Sequence, residues 1–297
     1  MKKFNWKKII SILVFLGIVI LLGYYLKTQW PQFSKIHIVS WWSLIGLFIL
    51  IPISFWITAF FFRVSLLPYS LKLSFHEYFG LTMLTLMGNY TIPFSGFGIR
   101  AVYMKKNYNF SYGKFLTTVF ANWVTNFLIY SSAGMLALII YYLRSHLWNW
   151  TLAVIFLTVI VCSSLSFLPI KINIKILISW QEYLKNKEIV NKLLAITFWQ
   201  FLATALAFYC AYLTFGFKIT FLNSFFATTL SLYSSVIRLA PASLGFYEVA
   251  IIYPSRALGF SSADGLAVSA ITRAVMIFWT FALGLIFSYI LMRKESK

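Results

Sequence analysis

Six stretches of this chain are apolar over roughly the length that a helix needs to cross a bilayer, about twenty residues. Only 10% of the residues are charged, whereas soluble domains carry about a quarter. The sequence therefore predicts an all-α polytopic membrane protein and excludes a water-soluble globular enzyme. The six apolar runs cover residues 9–26, 41–62, 115–143, 148–170, 195–216 and 266–292.

Two further segments, 75–92 and 221–240, are weaker because they contain polar residues and end at Pro93 and Pro241. Broken helices at membrane depth are tolerated where the backbone is buried in protein or lines a cavity. We therefore expect these segments to be helices that break inside the protein. Glu77, at the entry of the first one, is adequately explained by solvation at the membrane interface.

The basic residues favour one topology. The chain has 25 Lys and Arg against 6 Asp and Glu, a formal net charge of +19. If both weak segments cross the membrane, the basic residues divide 11 to 12 between the two sides. If both turn back, they divide 18 to 5, with Arg238 and Arg273 left inside membrane segments. Short cytoplasmic loops are enriched in Lys and Arg. We therefore predict six full spans plus two re-entrant broken-helix segments, eight apolar segments in all, in the cytoplasmic membrane, with both termini cytoplasmic. The charge indicates topology, and we expect no nucleic-acid partner.

The two breaks have similar surroundings. Arg100 follows Pro93 by seven residues, and Glu248 follows Pro241 by seven. An offset of 150 then pairs Trp123 with Arg273. This pattern favours two half-repeats, about 41–143 and 195–292, within a single transmembrane domain covering 1–297, with the halves inverted as in many transporters.

Residues 171–192 connect the halves and mix apolar residues with five lysines. This segment is typical of a basic amphipathic helix on an anionic cytoplasmic leaflet, and the alternative is a plain connecting loop.

Glu248 is the sharpest candidate for a substrate path. A carboxylate at membrane depth costs about 2.5–3.5 kcal/mol on insertion scales, so it normally has a partner and faces a cavity. Arg273 or Arg238 could supply that partner. The pair would then either bind a lipid headgroup or act as a structural ion pair.

Other candidates lie around the first break. Arg100 could attract the phosphate of an anionic lipid, and Asn89 could contact substrate or cap the broken helix. Glycines supply backbone freedom or close helix approach at the breaks, namely Gly96, Gly98 and Gly245. For Asn122 and Asn126, which share a helix face, interhelical hydrogen bonding is the default expectation.

The sequence lacks the common motifs of phosphate binding, zinc binding and disulfide frameworks. There is neither a glycine-rich phosphate loop nor a histidine pair at zinc-ligand spacing, and both cysteines lie in apolar runs. We therefore predict no catalytic residues, no metal and no cofactor.

The stretch GNYTIPFSGFGIRAVYMKKNYNFSYGKFLTTVFANW, with an Asn before a Pro, a glycine-rich turn and an Arg, resembles the first conserved region of the lysylphosphatidylglycerol synthase membrane domain. The stretch LAPASLGFYEVAIIYPSRALGFSSADGLAVSAITRA resembles the second. The resemblance covers nearly the whole chain and is to the stand-alone, flippase-like members, so we expect no soluble aminoacyl-transferase domain. In one respect the chain departs from the family: Asn122, Trp123 and Asn126 stand where an acid, an Arg and a second acid are often found.

The resemblance implies a translocase of lipids or lipid-linked molecules. Two alternatives stay open: a non-catalytic membrane partner of a separate lipid- or glycan-modifying enzyme, and a phosphatidylglycerol lysyltransferase. The expected partners are anionic phospholipids or a lipid-linked substrate, with an enzyme partner or a homo-oligomer as further options.

Overall fold

The computed structural model describes residues 37–91, 94–146, 149–168, 175–236 and 243–295. The predicted first span 9–26 and three predicted site residues, Pro93, Arg238 and Pro241, lie outside these ranges. Within them the chain is helical and without strands, which confirms the all-α prediction. The described residues form ten α-helices: α1 (Trp41–Ser65), α2 (Phe75–Thr91), α3 (Ser95–Tyr108), α4 (Tyr112–Ser145), α5 (Trp150–Leu165), α6 (Lys175–Leu184), α7 (Lys187–Thr214), α8 (Ser224–Val236), α9 (Phe246–Ala257) and α10 (Ser262–Glu295).

Four of these helices, α1, α4, α7 and α10, are long and apolar enough to cross a membrane. Their starts follow capping chemistry: Ser40 and Ser111 each accept a hydrogen bond from a backbone N–H in the first turn of α1 and α4. Helix α5, which occupies the predicted run 148–170, has 16 residues and is about 24 Å long. The total of six full spans stays a prediction.

Helices α2 and α3 form an antiparallel hairpin. At its open end the Tyr108 hydroxyl donates to Glu77, and at its closed end the Ser95 hydroxyl donates to the Gly88 carbonyl at 2.7 Å. The two helices have 17 and 14 residues, about 26 Å and 21 Å, and both are shorter than the hydrocarbon core of about 30 Å. These lengths agree with a segment that turns back, although the re-entrant topology itself stays a prediction.

The second weak segment is also followed by a helix that packs on it. Helix α8 ends at Val236, α9 begins at Phe246, and the two share an apolar cluster that includes Phe226, Leu230, Ala250 and Leu258. The second hairpin is shorter than the first, with 13 and 12 residues in its two helices.

The long helices that follow the two hairpins are related by the offset of 150 residues found in the sequence. Helices α4 and α10 both contain 34 residues, and both their first and their last residues are 150 positions apart. Across the halves, α1 and α7 pack antiparallel: a Cβ built on Gly46 would lie 3.2 Å from Cys210 Sγ, and Gln200 donates to Thr58.

The hairpins each pack against the long helix of the other half. Met87 of α2 contacts Gly284 of α10, and Thr229 of α8 donates to the Tyr130 carbonyl of α4. The main apolar core therefore lies where α1, α2, α7 and α10 meet, with Leu47 and Leu81 fully buried.

The connector 171–192 is described from residue 175 onwards. Its described part is α6, which ends at Leu184, followed by a turn whose Asn186 caps α7. Trp180 of α6 is 1% exposed and donates to the Ser166 carbonyl. Tyr183 packs beside it and donates to the Ser65 carbonyl, and burial raises the pKa of this phenol, which keeps its proton in place. These two aromatic side chains pack between α1 and α4, and the amphipathic surface helix stays a prediction.

Candidate functional site

A cavity of about 290 Å³ lies between the two halves. Among the described helices, seven contribute to its wall, namely α1, α2, α4, α7, α8, α9 and α10, so both hairpins reach it. Positions 150 apart face it together, as with Asn122 and Thr272, and Asn126 and Met276. The lining carries many uncharged polar side chains: Ser54, Thr58, Asn89, Asn122, Asn126, Gln200, Thr204, Ser231, Ser234, Ser235, Ser243 and Thr272.

One ion pair stands at this cavity. Arg273 Nε lies 2.8 Å from Glu248 Oε1, and the two side chains are 12% and 10% exposed. The guanidinium also lies over the Tyr247 ring, 4.8 Å from its centroid. Arg273 and Tyr247 both line the cavity. Of the two arginines that the sequence offered as partners of Glu248, the structure pairs Arg273.

The local sequence fixes Glu248 at the start of α9. It is the third residue of the helix, and its Oε2 accepts the Gly245 N–H at 2.7 Å, which satisfies a backbone donor at the helix start. Gly245 has φ +86°, a conformation that an L side chain rarely adopts. The carboxylate therefore both caps a broken helix and pairs with Arg273.

Asn89 and Gly96 close the first hairpin. The Asn89 side-chain oxygen accepts the Gly96 N–H at 3.1 Å, so Asn89 caps α3 while it also lines the cavity. A Cβ on Gly96 would lie 1.9 Å from the Thr85 carbonyl oxygen, so only glycine fits. Gly98 is different, because a Cβ there would meet nothing within 4 Å and its backbone has no positive φ. The close approach that the sequence suggested is therefore seen at Gly96 and not at Gly98.

Arg100 is buried inside the hairpin, away from the lining of this cavity. Its Nε donates to Thr85 at 2.8 Å and one terminal nitrogen donates to Thr82 at 3.3 Å. Its guanidinium lies 4.2 Å from the centroid of the Phe62 ring. Arg100 therefore ties the two helices of the hairpin together, and the structure does not bring it to Glu248 and Arg273.

Glu77 is not solvated at the membrane interface as the sequence suggested. It is 5% exposed and accepts hydrogen bonds from the Ser74 backbone and hydroxyl and from Tyr108. These contacts, rather than interfacial water, hold its carboxylate, because α3 returns alongside α2.

Sequence reasoning gave too little weight to two amides of the cavity. Asn126 donates to the Asn122 carbonyl of its own helix at 2.7 Å, not across to another helix as expected. Gln200 donates to Thr58 at 2.9 Å. The side-chain oxygens of both are buried without a hydrogen-bond partner. The sequence signal for Gln200 was its position inside the apolar run 195–216, where a polar side chain usually faces protein.

The comparisons with known proteins are consistent with this architecture. The family model described as the lysylphosphatidylglycerol synthase TM region matches residues 8–284. The chain belongs to this family. Comparison with curated proteins and with solved structures gave no match.

Membership of the lysylphosphatidylglycerol synthase TM family confirms the resemblance found in the sequence. Together with the four apolar helices, it identifies a multi-pass membrane protein with a function related to membrane lipids. Among the described lining residues, α4 contributes the neutral Asn122 and Asn126, whereas α10 contributes the charged Arg273. The two halves of the cavity therefore differ in charge.

Proposed function

We propose that the protein is a translocase of lipids or lipid-linked molecules in the cytoplasmic membrane. The observation that carries the proposal is the polar cavity of about 290 Å³ between the two halves, whose wall includes Arg273 of a buried ion pair. Its volume lies near the small end of ligand pockets, which suits a headgroup whose acyl chains stay in the bilayer.

The relation of the halves supports transport. Helices α1 and α7 are equivalent by position and pack antiparallel, which is the arrangement that a two-fold axis in the membrane plane produces. In an inverted repeat the two hairpins enter from opposite sides and meet at the substrate site. Both termini are then cytoplasmic, and rocking of one half against the other exposes the cavity alternately.

The ion pair is suited to gating because each partner has a second contact. Glu248 retains the Gly245 N–H, and Arg273 retains the Tyr247 ring, if the pair separates. A headgroup that interacts with either charge would weaken the pair and release α9 from α10. Separation without such a ligand is costly, because it leaves buried charges uncompensated.

The test is lipid movement in proteoliposomes. Fluorescent phospholipids and glycolipids with matched acyl chains are followed by dithionite quenching, for the wild type and for Glu248→Gln. We expect faster crossing than in empty liposomes for at least one lipid, and a slower rate for Glu248→Gln. The matched control is Glu188→Gln, which removes an exposed carboxylate that pairs with Lys192 on the surface.

Crossing rates equal to those of empty liposomes for every lipid would remove the transport claim. Co-purification with a separate lipid- or glycan-modifying enzyme would then favour the role of a membrane partner.

A further inference from the structure

Many hydroxyl groups of the central cavity can act towards a ligand only as hydrogen-bond acceptors. Seven of its serine and threonine hydroxyls give their protons to carbonyl groups of their own helices, so any further hydrogen bond that they form is one that they accept, as Thr58 does from Gln200. The seven residues are Ser54, Thr58, Thr204, Ser231, Ser234, Ser235 and Thr272.

The two amides add stronger acceptors. Asn126 must direct its NH₂ group to the Asn122 carbonyl, because that oxygen can only accept. Gln200 must direct its NH₂ group to Thr58, because the Thr58 hydroxyl already donates to the Ser54 carbonyl. These contacts fix the orientation of both amides and leave Asn126 Oδ1 and Gln200 Oε1 buried without a partner.

Unpaired buried acceptors indicate what the cavity binds. Leaving such a group unsatisfied is unfavourable, and in native structures it marks a place for water or a ligand. Asn126 is 4% exposed, so its oxygen is not satisfied by bulk solvent. A phosphate presents only acceptors once ionised and cannot satisfy these oxygens, whereas a hydroxyl group can.

The charge balance of the described lining is a separate argument against an ionic headgroup. Among the lining residues in the described ranges, Arg273 is the one that carries a charge, and Glu248 neutralises it at 2.8 Å. The described part of the wall therefore offers no surplus charge to offset the burial of a phosphate or an ammonium group, which is strongly unfavourable without a counter-ion. Several aromatic rings complete the lining and provide flat apolar faces, Phe55, Tyr90, Tyr130, Phe208 and Tyr247.

We infer that the cavity recognises a neutral, hydroxyl-rich headgroup, the sugar of a glycosyl lipid, in preference to a phosphate or amine headgroup. Asn126 and Gln200 accept hydrogen bonds from sugar hydroxyls. The inference rests on the proposed function, because it names the headgroup class that the same cavity would admit during transport.

The transport arm compares three fluorescent lipids with identical acyl chains in proteoliposomes: monoglucosyl diacylglycerol, phosphatidylglycerol and phosphatidylethanolamine. The variants Asn126→Leu and Gln200→Met remove the two acceptors. We expect the wild type to move the glucosyl lipid about tenfold faster than the other two, and each variant to lose about tenfold for the glucosyl lipid alone.

Matched controls distinguish recognition from folding. Asn107 donates to the Tyr103 carbonyl four residues earlier, as Asn126 does to Asn122, but it is exposed and outside the cavity. Asn107→Leu therefore makes the same substitution outside the cavity. Gln181→Met is the corresponding control for Gln200, because Gln181 lies on α6 and is not among the described lining residues. Both should transport like the wild type.

The binding arm does not need transport. The protein is placed in phosphatidylcholine nanodiscs with a minor fraction of each lipid, and its thermal unfolding midpoint is measured. We expect the glucosyl lipid to raise the midpoint of the wild type and of the controls, but not of the two cavity variants.

The outcomes separate the two claims. Binding of the glucosyl lipid without any transport supports the headgroup assignment and overturns the translocase. Equal or faster transport of either phospholipid overturns the headgroup assignment and leaves the translocase. An equal effect of Asn126→Leu on all three lipids, or no midpoint shift with the glucosyl lipid, also overturns the assignment, and the cavity then holds only water.

Discussion

Glu248 and Arg273 form an ion pair across the second hairpin and the long helix that follows it, with Oε1 and Nε 2.8 Å apart. Glu248 belongs to α9 and Arg273 to α10. The pair therefore joins a broken helix to a spanning helix at the wall of the central cavity, and it fixes the position of both elements.

The pair predicts strong thermodynamic coupling. Glu248→Gln and Arg273→Gln should each destabilise the protein by about 3–5 kcal/mol, because each leaves one buried charge without its partner. The double variant should cost less than the sum of the two. Thermal unfolding in one detergent measures all four proteins. Additive losses would show that the two side chains act independently.

Two glycines of α3 should respond in opposite ways to one substitution. Gly96→Ala places a Cβ 1.9 Å from the Thr85 carbonyl oxygen, so we expect a loss of at least about 3 kcal/mol or a failure to fold. Gly98→Ala meets nothing within 4 Å and should be neutral or stabilising by up to about 1 kcal/mol, since alanine favours a helix. Yield and thermal unfolding are the measurements. Equal behaviour of the two variants would contradict the close packing of α3 on α2.

The antiparallel packing of α1 on α7 predicts a new disulfide. A Cβ on Gly46 lies 4.0 Å from Cys210 Cβ, within the range of disulfide-bonded pairs. Oxidation of Gly46→Cys should reduce the thiols counted after denaturation from three to one, because the native chain has two cysteines.

The same variant with Cys210→Ser is the control and should keep both remaining thiols. A disulfide that involves Cys162 instead would place α1 against the wrong helix.

The proposed topology predicts which residues share a side of the membrane. In a background without cysteines, Lys105→Cys and Lys185→Cys should both react with an impermeant maleimide in inside-out vesicles and not in right-side-out vesicles. Lys105 is expected on the cytoplasmic side because it lies near the end of α3. If the short α2–α3 hairpin turns back within the membrane, the start of α2 and the end of α3 are both cytoplasmic. Periplasmic labelling at either position would rule out the re-entrant arrangement.

Much of the architecture was contained in local sequence patterns. Apolar runs located the spanning helices, because a helix in lipid must be apolar along its length. The breaks after 75–92 and 221–240 predicted where the short helices α2 and α8 end, and an offset of 150 also relates the bounds of α4 and α10. The glycines gave a mixed result, since Gly96 is required by packing and Gly98 is not.

The candidate site was only partly predictable. Glu248 was recognisable because placing a carboxylate within a membrane segment is unfavourable in free energy, so such a residue usually has a structural or functional role. Arg100 had the same signal, yet threonine hydroxyls and the Phe62 ring satisfy it inside the hairpin. Composition cannot separate these two cases, because a buried charge can be satisfied by a carboxylate or by neutral acceptors.

The sequence by itself determined that this chain is an all-helical membrane protein of the lysylphosphatidylglycerol synthase TM family, because apolar length, breaks and motifs are properties of contiguous residues. Only the tertiary structure decided that Arg273 pairs with Glu248, that Trp180 is buried and that Asn126 and Gln200 face one cavity. These relations join helices that are distant in the chain. They depend on how α1, α4, α7 and α10 pack, and no local pattern encodes that packing.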